Sequence, residues 1–263
     1  MYKVMYTKET FDEMVKQDHH YNDYVYHHNA DWAVVRLSYQ FNYILNNTFD
    51  IPKIPKKIHQ VWVGSKLPEE FKAYTKSWKK FNPDYEYKLW TDDNIHTLPT
   101  VNWLTYNTIR NQAQRSDYLR YHILNEHGGI YVDTDFQCLK SFDDLLYLDF
   151  FTGIGHGRYV ELYIGLIGSI PHHPITEALV KGMTIIRGGH WRTVFNETGS
   201  YYFTRVFLKI AQSNVKGIAV FPMSFFYPFP SNKRGVDNFK SYVKDHSYAV
   251  HHWAVSWAKK PTR

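Results

Sequence analysis

Cysteine is almost missing from this chain: Cys138 stands alone in 263 residues. A single thiol forms no internal disulfide and excludes any zinc site built from several cysteines. Lying just after an acidic stretch, it is expected to pack rather than act as a nucleophile. Long hydrophobic runs are missing too, since nothing approaches the roughly eighteen apolar residues that a membrane helix needs. The opening segment "MYKVMYTKETFDEMVKQDHH" lacks the apolar core and small-residue cleavage site of a signal peptide. A soluble, cytoplasmic protein is therefore expected, with peripheral contact at the inner face of a membrane left open. The glycine-rich phosphate fingerprints are also lacking, and there is no repeat or low-complexity tract.

What the chain does have is ample apolar material and an excess of positive charge. Hydrophobic residues make up 44%, enough for a sizeable core, and lysine plus arginine exceed the acids by 31 to 25, a net +6. That excess can attract phosphates, nucleic acid or anionic headgroups without choosing among them. The basic residues are not gathered into a stripe, so nucleic acid is not an expected partner. Aromatics reach 18%, as suits sugar or base stacking but equally an ordinary core.

Periodicity divides the chain near residue 50. Residues 1–50 read as a helical extension, with Trp32, Val35, Leu37, Phe41, Ile44 and Leu45 in a roughly helical rhythm. The prolines of "FDIPKIPKK" then break the pattern, and residues 51–263 form the main domain. There, "KIHQVWVG" reads as a first strand, "LPEEFKAYTKSWKKFNP" as an amphipathic helix and "YEYKLWTDD" as a second strand. A helix from about Thr105 to His127 stops at Gly128–Gly129, and a third strand follows at once. Further strands are expected in "DFFTGIGH", "YIGLIGSI", "IAVFPM" and "SYAVHHW". Alternating strands and helices predict an α/β sandwich with a mostly parallel sheet, which binds ligands beyond the carboxyl ends of its strands.

"DTD", Asp133 and Asp135, falls at that edge. Two adjacent carboxylates repel unless a cation neutralises them, and a divalent ion can do so while bridging to a diphosphate. An isolated DxD is more often a solvated acidic turn, but here "GGIYV" and "FQCL" on either side look buried. The preceding helix adds a second anomaly. Asp117 and Arg120, three residues apart, fall on the apolar face defined by Ile109, Ala113, Leu119, Ile123 and Leu124. A charge pair facing a core is costly unless paired or used. It is either a salt bridge fastening helix to sheet, or a device that holds a polar substrate group and steadies phosphate charge.

Near the end, "SYAVHHWAVSWAKK" offers His252 as a further metal ligand, with Ser256, Trp257, Lys259 and Lys260 able to face phosphates. Trp62, closing the first strand, can stack on a base or simply pack. Asp92 and Asp93 close the second strand, where a sugar hydroxyl or a helix cap is an equal reading. His156, in a glycine-rich stretch, suggests close backbone approach to a ligand.

Taken in order, "IPKKIHQVWVG", "NPDYEYKLWTDD", "RSDYLRYHILNEHGGIYVDTDFQCLKSFDDL" and "HHWAVSW" resemble the DXD-containing glycosyltransferases of family 32. That family includes yeast initiating α-1,6-mannosyltransferases and bacterial capsular polysaccharide transferases, and large clostridial glucosylating toxins share a related core. The resemblance covers about residues 54–145 and 251–257, leaving the first fifty outside it. It implies a GT-A-like fold, a nucleotide-sugar donor (UDP-hexose is the expectation), Mn²⁺ or Mg²⁺, a glycan or glycolipid acceptor, and retention of anomeric configuration.

Carried over by motif, Asp133 and Asp135 are the DXD, with Asp135 the more direct metal ligand. Asp117 and Arg120 match the "SDxLR" pair that contacts the donor sugar. Trp62 matches an aromatic near the base, and Tyr131, in the strand leading into the pair, joins the donor-binding set. His252 stands where the related toxins place a late metal-binding acid, and Ser256 and Trp257 resemble the diphosphate-binding end. Val255 replaces the glycine of the usual "HHWAGSW", adding bulk at a closing segment. Two other classes compete with this reading. A metal-dependent phosphohydrolase would also use a DxD, but Gln137 stands where the haloacid-type pattern needs threonine or valine. A non-enzymatic binder of nucleic acid or anionic surfaces would explain the charge alone.

Overall fold

The computed structural model describes residues 9–17, 20–45, 51–185, 191–235 and 237–254. Ser256, Trp257, Lys259 and Lys260, together with Val255, lie outside them.

Among the described residues, eight strands form where short apolar runs are bounded by turns: β1 (Lys57–Val61), β2 (Glu86–Trp90), β3 (Gly129–Val132), β4 (Phe136–Cys138), β5 (Phe150–Ile154), β6 (Leu162–Ser169), β7 (Ile218–Phe221) and β8 (Ala249–His251). Six of them build one sheet in the order β2-β1-β3-β6-β5-β7, while β4 and β8 pair separately. β1 runs parallel to β2 and β3, and β5 parallel to β7. β6 alone runs against its neighbours. Five strands sharing one direction make the mostly parallel sheet of a GT-A-like α/β/α sandwich. Their carboxyl ends put Trp62, Asp92 and Asp133 on one edge.

The helices are α1 (Phe11–Lys16), α2 (Asp23–His28), α3 (Ala30–Tyr39), α4 (Glu69–Phe81), α5 (Trp103–Thr108), α6 (Gln112–His127), α7 (Pro174–Gly182), α8 (Trp191–Glu197), α9 (Ser200–Ala211) and α10 (Met223–Phe226). Consecutive residues of β5 show how they share the two faces, because side chains alternate along a strand. Phe150 meets Phe203 and Phe207 of α9, and Phe151 meets Phe142 and Phe226 of α10.

The single helix expected over 105–127 is instead two. The chain leaves the helical conformation at Ile109, and the Asn111 side chain caps α6 by accepting from the backbone N–H groups of Ala113 and Gln114. The freed carbonyl of Ile109 accepts a hydrogen bond of 2.8 Å from Arg115 Nε, so the break leaves that acceptor paired. At the other end α6 stops where expected. Gly128 and Gly129 both take positive φ (61° and 89°), and a Cβ on Gly129 would sit 2.7 Å from the Lys57 carbonyl oxygen. Only glycine lets β3 start this abruptly beside β1.

The N-terminal helices pack on β7 within the same core as the sheet. Their buried face is Trp32, Val35, Tyr39 and Tyr43, the last 4.8 Å from the Phe221 ring. Leu37, Phe41 and Leu45 of the expected rhythm are exposed instead: Leu37 lies on the side of α3 away from Val35 and Tyr39, and beyond it a short π-helix (Gln40–Ile44) extends α3 and turns Asn42 inward. Asn42 then accepts from Gly217 N–H at 2.8 Å and donates to the carbonyls of Val215 and Ile218. The division expected at residue 50 falls beside residues 46–50, which are outside the described residues.

Candidate active site

Where β3 ends, backbone hydrogen bonds hold Asp133 in place. Its N–H donates to the Gly165 carbonyl of β6, and its own carbonyl accepts from Phe136 N–H and from Gln60 Nε2 of β1. The side chain meets a buried polar network. Asp133 Oδ1 accepts a 2.8 Å hydrogen bond from the Tyr131 hydroxyl and lies 3.2 Å from Arg120 Nη1. Arg120 Nη2 is 2.8 Å from Asp117 Oδ1, and Asp117 Oδ2 accepts from Thr198 Oγ1 at 3.0 Å. Arg120 also donates to the Ile164 carbonyl, and its guanidinium lies 4.5 Å from the centroid of the Tyr131 ring. Its Nε is buried with no hydrogen-bond partner among the described residues.

The helical-wheel anomaly is thus a buried chain, Thr198–Asp117–Arg120–Asp133, linking α6 to the sheet's carboxyl edge. Burial raises the Asp117 carboxyl to about 6, with the Arg120 charge opposing. Asp133 is raised as well, again by burial against the pull of Arg120. Arg120 keeps its charge: burial opposes it, but Asp133, Tyr131 and Asp117 together outweigh that penalty.

Asp135 belongs to different surroundings. Its Oδ1 lies 3.0 Å from His251 Nε2, and its Oδ2 accepts from Ala254 N–H at 2.8 Å. Burial would raise this carboxyl, but the His251 ring and the Ala254 amide more than offset it, and it sits below the usual carboxylate range. His251 reaches this position because β8 pairs antiparallel with β4, setting it opposite Phe136, with the two rings stacked at 4.4 Å. Asp133, Asp135 and His251 each present a ligand atom, all within 4.8 Å of one another. Two carboxylates and an imidazole at this spacing could hold a divalent cation.

His252, the histidine singled out in the sequence, points elsewhere. Its Nε2 lies 3.1 Å from Gln137 Oε1, and its ring stacks on Tyr74 at 4.4 Å. Adjacent residues of a strand face opposite ways, so the β4–β8 register decides which histidine meets the aspartates. Sequence reasoning missed His251, and strand alternation was the one signal available, usable only once the pairing partner is known. Thr198 was missed too, for it reaches Asp117 from 81 residues away.

Trp62 follows β1 on the same edge, half-buried, donating from Nε1 to Ser65 Oγ. Asp92 accepts from Gly64 N–H at 2.6 Å, a loop tie rather than a helix cap. His156 N–H donates to the Tyr163 hydroxyl, whose ring meets Trp253 edge-on. Trp253 has φ of 55°, uncommon for a bulky residue. Its indole N–H donates to the Phe229 carbonyl, and its own carbonyl accepts from Arg234. Those ties deliver Ala254 N–H to Asp135.

Comparison with known proteins places this geometry in company. Residues 68–151 match the family model described as a glycosyltransferase sugar-binding region containing a DXD motif. An uncharacterized glycosyltransferase of Acanthamoeba polyphaga mimivirus is 31% identical over 185 residues, covering 66% of this chain and 73% of that protein. Inositol phosphoceramide mannosyltransferase 2 of Schizosaccharomyces pombe is 33% identical over 151 residues, 56% of this chain. The match spans 43% of that relative's length. Among solved structures, the PaToxG glycosyltransferase aligns with a TM-score of 0.49 at 19% identity, covering 75% of this chain and 90% of that one.

Proposed function

The chain belongs to the DXD-containing glycosyltransferases of family 32, and from that membership we propose that it transfers a hexosyl group from a nucleotide sugar to an acceptor hydroxyl, with retention of configuration. The observation that carries the proposal is the convergence of Asp133, Asp135 and His251 within 4.8 Å, with the buried Arg120–Asp117 pair bound to Asp133.

Breaking a sugar–phosphate bond leaves negative charge on the departing diphosphate, and catalysis stabilises that charge more in the transition state than in the ground state. A divalent ion, Mn²⁺ or Mg²⁺, held by Asp133, Asp135 and His251 would supply positive charge there. Arg120 adds a second, permanent charge, and its bonds to Asp117, Asp133 and Ile164 fix its direction before the donor arrives. Asp117, with both carboxylate oxygens engaged by Arg120 and Thr198, orients the arginine toward the donor. Tyr131 holds Asp133 in one rotamer through its hydroxyl. Trp62 stands on the same edge for the nucleobase, and Ser256 and Trp257 are assigned to the diphosphate by motif. No side chain is assigned as a covalent nucleophile; the leaving phosphate would take the acceptor's proton.

The mannosyltransferases among the relatives favour mannose as the hexose transferred. Those named for inositol phosphoceramide favour a glycolipid acceptor, which would bring the protein to a membrane surface. No helix among the described residues is long and apolar enough to cross one. The test is a panel of UDP- and GDP-hexoses with Mn²⁺, read by mass and NMR of the products, which gives donor, linkage and stereochemistry together. Transfer from one donor, abolished by chelator and restored by Mn²⁺, is expected. Undiminished transfer in strong chelator, or none from any donor, sinks the proposal.

A further inference from the structure

β6 does not run evenly beside β5. Thr152 pairs with Ile167, but Gly153, the next residue of β5, pairs with Tyr163. Ile164, Gly165 and Leu166 therefore have no counterpart on β5, and the chain bulges. Bulges bend a strand, re-aim its groups and gather beside active sites. This one lies level with the end of β3, where Leu166 pairs with Val132. Two of its carbonyls turn to the site: Ile164 accepts from Arg120 Nη1 at 2.6 Å, and Gly165 accepts from the Asp133 N–H at 2.8 Å. The buried Thr152 draws the ends of the bulge together. Its single hydroxyl hydrogen is shared between the carbonyls of Tyr163, at 3.0 Å, and Leu166, at 3.3 Å.

Gly165 is the middle residue of the bulge. It is not among the glycines of positive φ, so its backbone would accept a side chain and space alone excludes one. A Cβ there would lie 2.9 Å from Phe136 Cε2 and 3.0 Å from Asp133 Oδ2, well inside the roughly 3.5–4.0 Å at which carbon atoms pack. Neither neighbour can yield freely. Phe136 is fully buried and carries the His251 ring stacked on it at 4.4 Å. Asp133 is fixed at Oδ1 by Tyr131 and Arg120, which leaves Oδ2, the oxygen beside Gly165, for a cation. One missing side chain thus bears on two of the three candidate ligands: on Asp133 directly, and on His251 through Phe136.

The geometry points to the β6 bulge as the device that positions the cation cluster, with Gly165 and Thr152 as its positioning residues. Its role rests on the glycosyl-transfer reading, though its contacts do not. The test compares Gly165→Ala, Thr152→Val and Thr152→Ser with Leu179→Ala, a truncation in the buried face of α7, away from the bulge. Mn²⁺ binding to the full chain is measured by calorimetry, and the Asp133 amide and Arg120 Hε resonances by NMR without metal. Gly165→Ala should weaken Mn²⁺ binding about 10–100-fold and Thr152→Val about tenfold, the scale for losing a group that orients a metal ligand. Both should move the two resonances. Thr152→Ser, which keeps the hydroxyl, should bind like the unsubstituted chain. Leu179→Ala should do so too, despite a lower urea midpoint. If Gly165→Ala does not fold, the two substitutions of Thr152 decide alone. Thr152→Val that keeps full affinity and leaves both resonances in place overturns the proposal, as does equal weakening by Leu179→Ala. An unsubstituted chain that binds no Mn²⁺ would count against the cation reading; the bulge's hold on Asp133 and Arg120 would then stand or fall by the resonances.

Discussion

Asp133 and Asp135 are separated by one threonine, yet they occupy opposite electrostatic settings. Asp133 looks inward, to a buried arginine and a tyrosine hydroxyl, and burial raises its carboxyl above the usual range. Asp135 looks toward the C-terminal segment, where an imidazole and a backbone amide draw it below that range. The first is anchored by the helix that precedes its strand; the second by a strand from the far end of the chain. Two carboxylates that read alike in "DTD" thus serve different ends. One is tied to the helix and sheet that frame the site, and the other to His251 and Ala254.

The largest expected effect falls on Asp135. Asp135→Asn should leave the fold intact by circular dichroism while cutting sugar transfer by about 10³-fold, the scale for losing one charge-stabilising group. A variant that retains most of its activity would erase the functional contrast between the two aspartates. For the network around Asp133 the effect should be on stability. Arg120→Leu leaves the buried Asp117 and the half-buried Asp133 without their cation and should cost about 3 kcal/mol in urea unfolding, the scale of a broken buried pair. A loss of less than about 1 kcal/mol would put the network in the class of surface ion pairs.

Asp117 gives the contrast a pH signature. Its folded carboxyl is raised by burial to about 6 from the ordinary 3.8. The stability this group contributes is therefore complete below 3.8 and lost as pH rises through about 6. Asp117→Asn lacks that pH dependence. In metal-free buffer it should gain stability relative to the unsubstituted chain between pH 4 and pH 7, by up to about 3 kcal/mol; a difference flat with pH would refute the assignment. The smallest effect separates two neighbouring rings. His251→Ala should weaken Mn²⁺ binding by about 10–100-fold, as loss of a group bonded at a metal site does. His252→Ala, which unpairs Gln137 and unstacks Tyr74, should change it much less. Calorimetric titration with Mn²⁺ decides, and the reverse order would return the metal role to His252.

How much of this was legible beforehand depended on how local the information was. The strands of the main sheet, the stop at Gly128–Gly129 and the inward placement of Asp117 and Arg120 follow from patterns a few residues long; β4 (Phe136–Cys138), read only as buried, does not. So does the position of the aspartate pair at a strand's carboxyl end. The break between α5 and α6 was harder, because Asn111 competes locally with a helical pattern that continues on both sides. The exposure of Phe41 and Leu45 was hidden because a π-turn rotates the helix face, a shift that apolar spacing does not encode. His251 and Thr198 were beyond reach for a different reason. Each gains its meaning only from a partner far along the chain, and the choice between His251 and His252 rests on a register that neither strand specifies alone.

The pairing of β4 with β8 also carries a consequence for the order in which the molecule becomes competent. His251 meets Asp135 from 116 residues further along, after every strand of the main sheet has been made. A chain emerging from the ribosome could therefore close its sheet and bury Arg120 before His251 reached the two aspartates. Assembly of the candidate cation cluster would then be a step separate from closing the sheet, coupled to the docking of a three-residue strand.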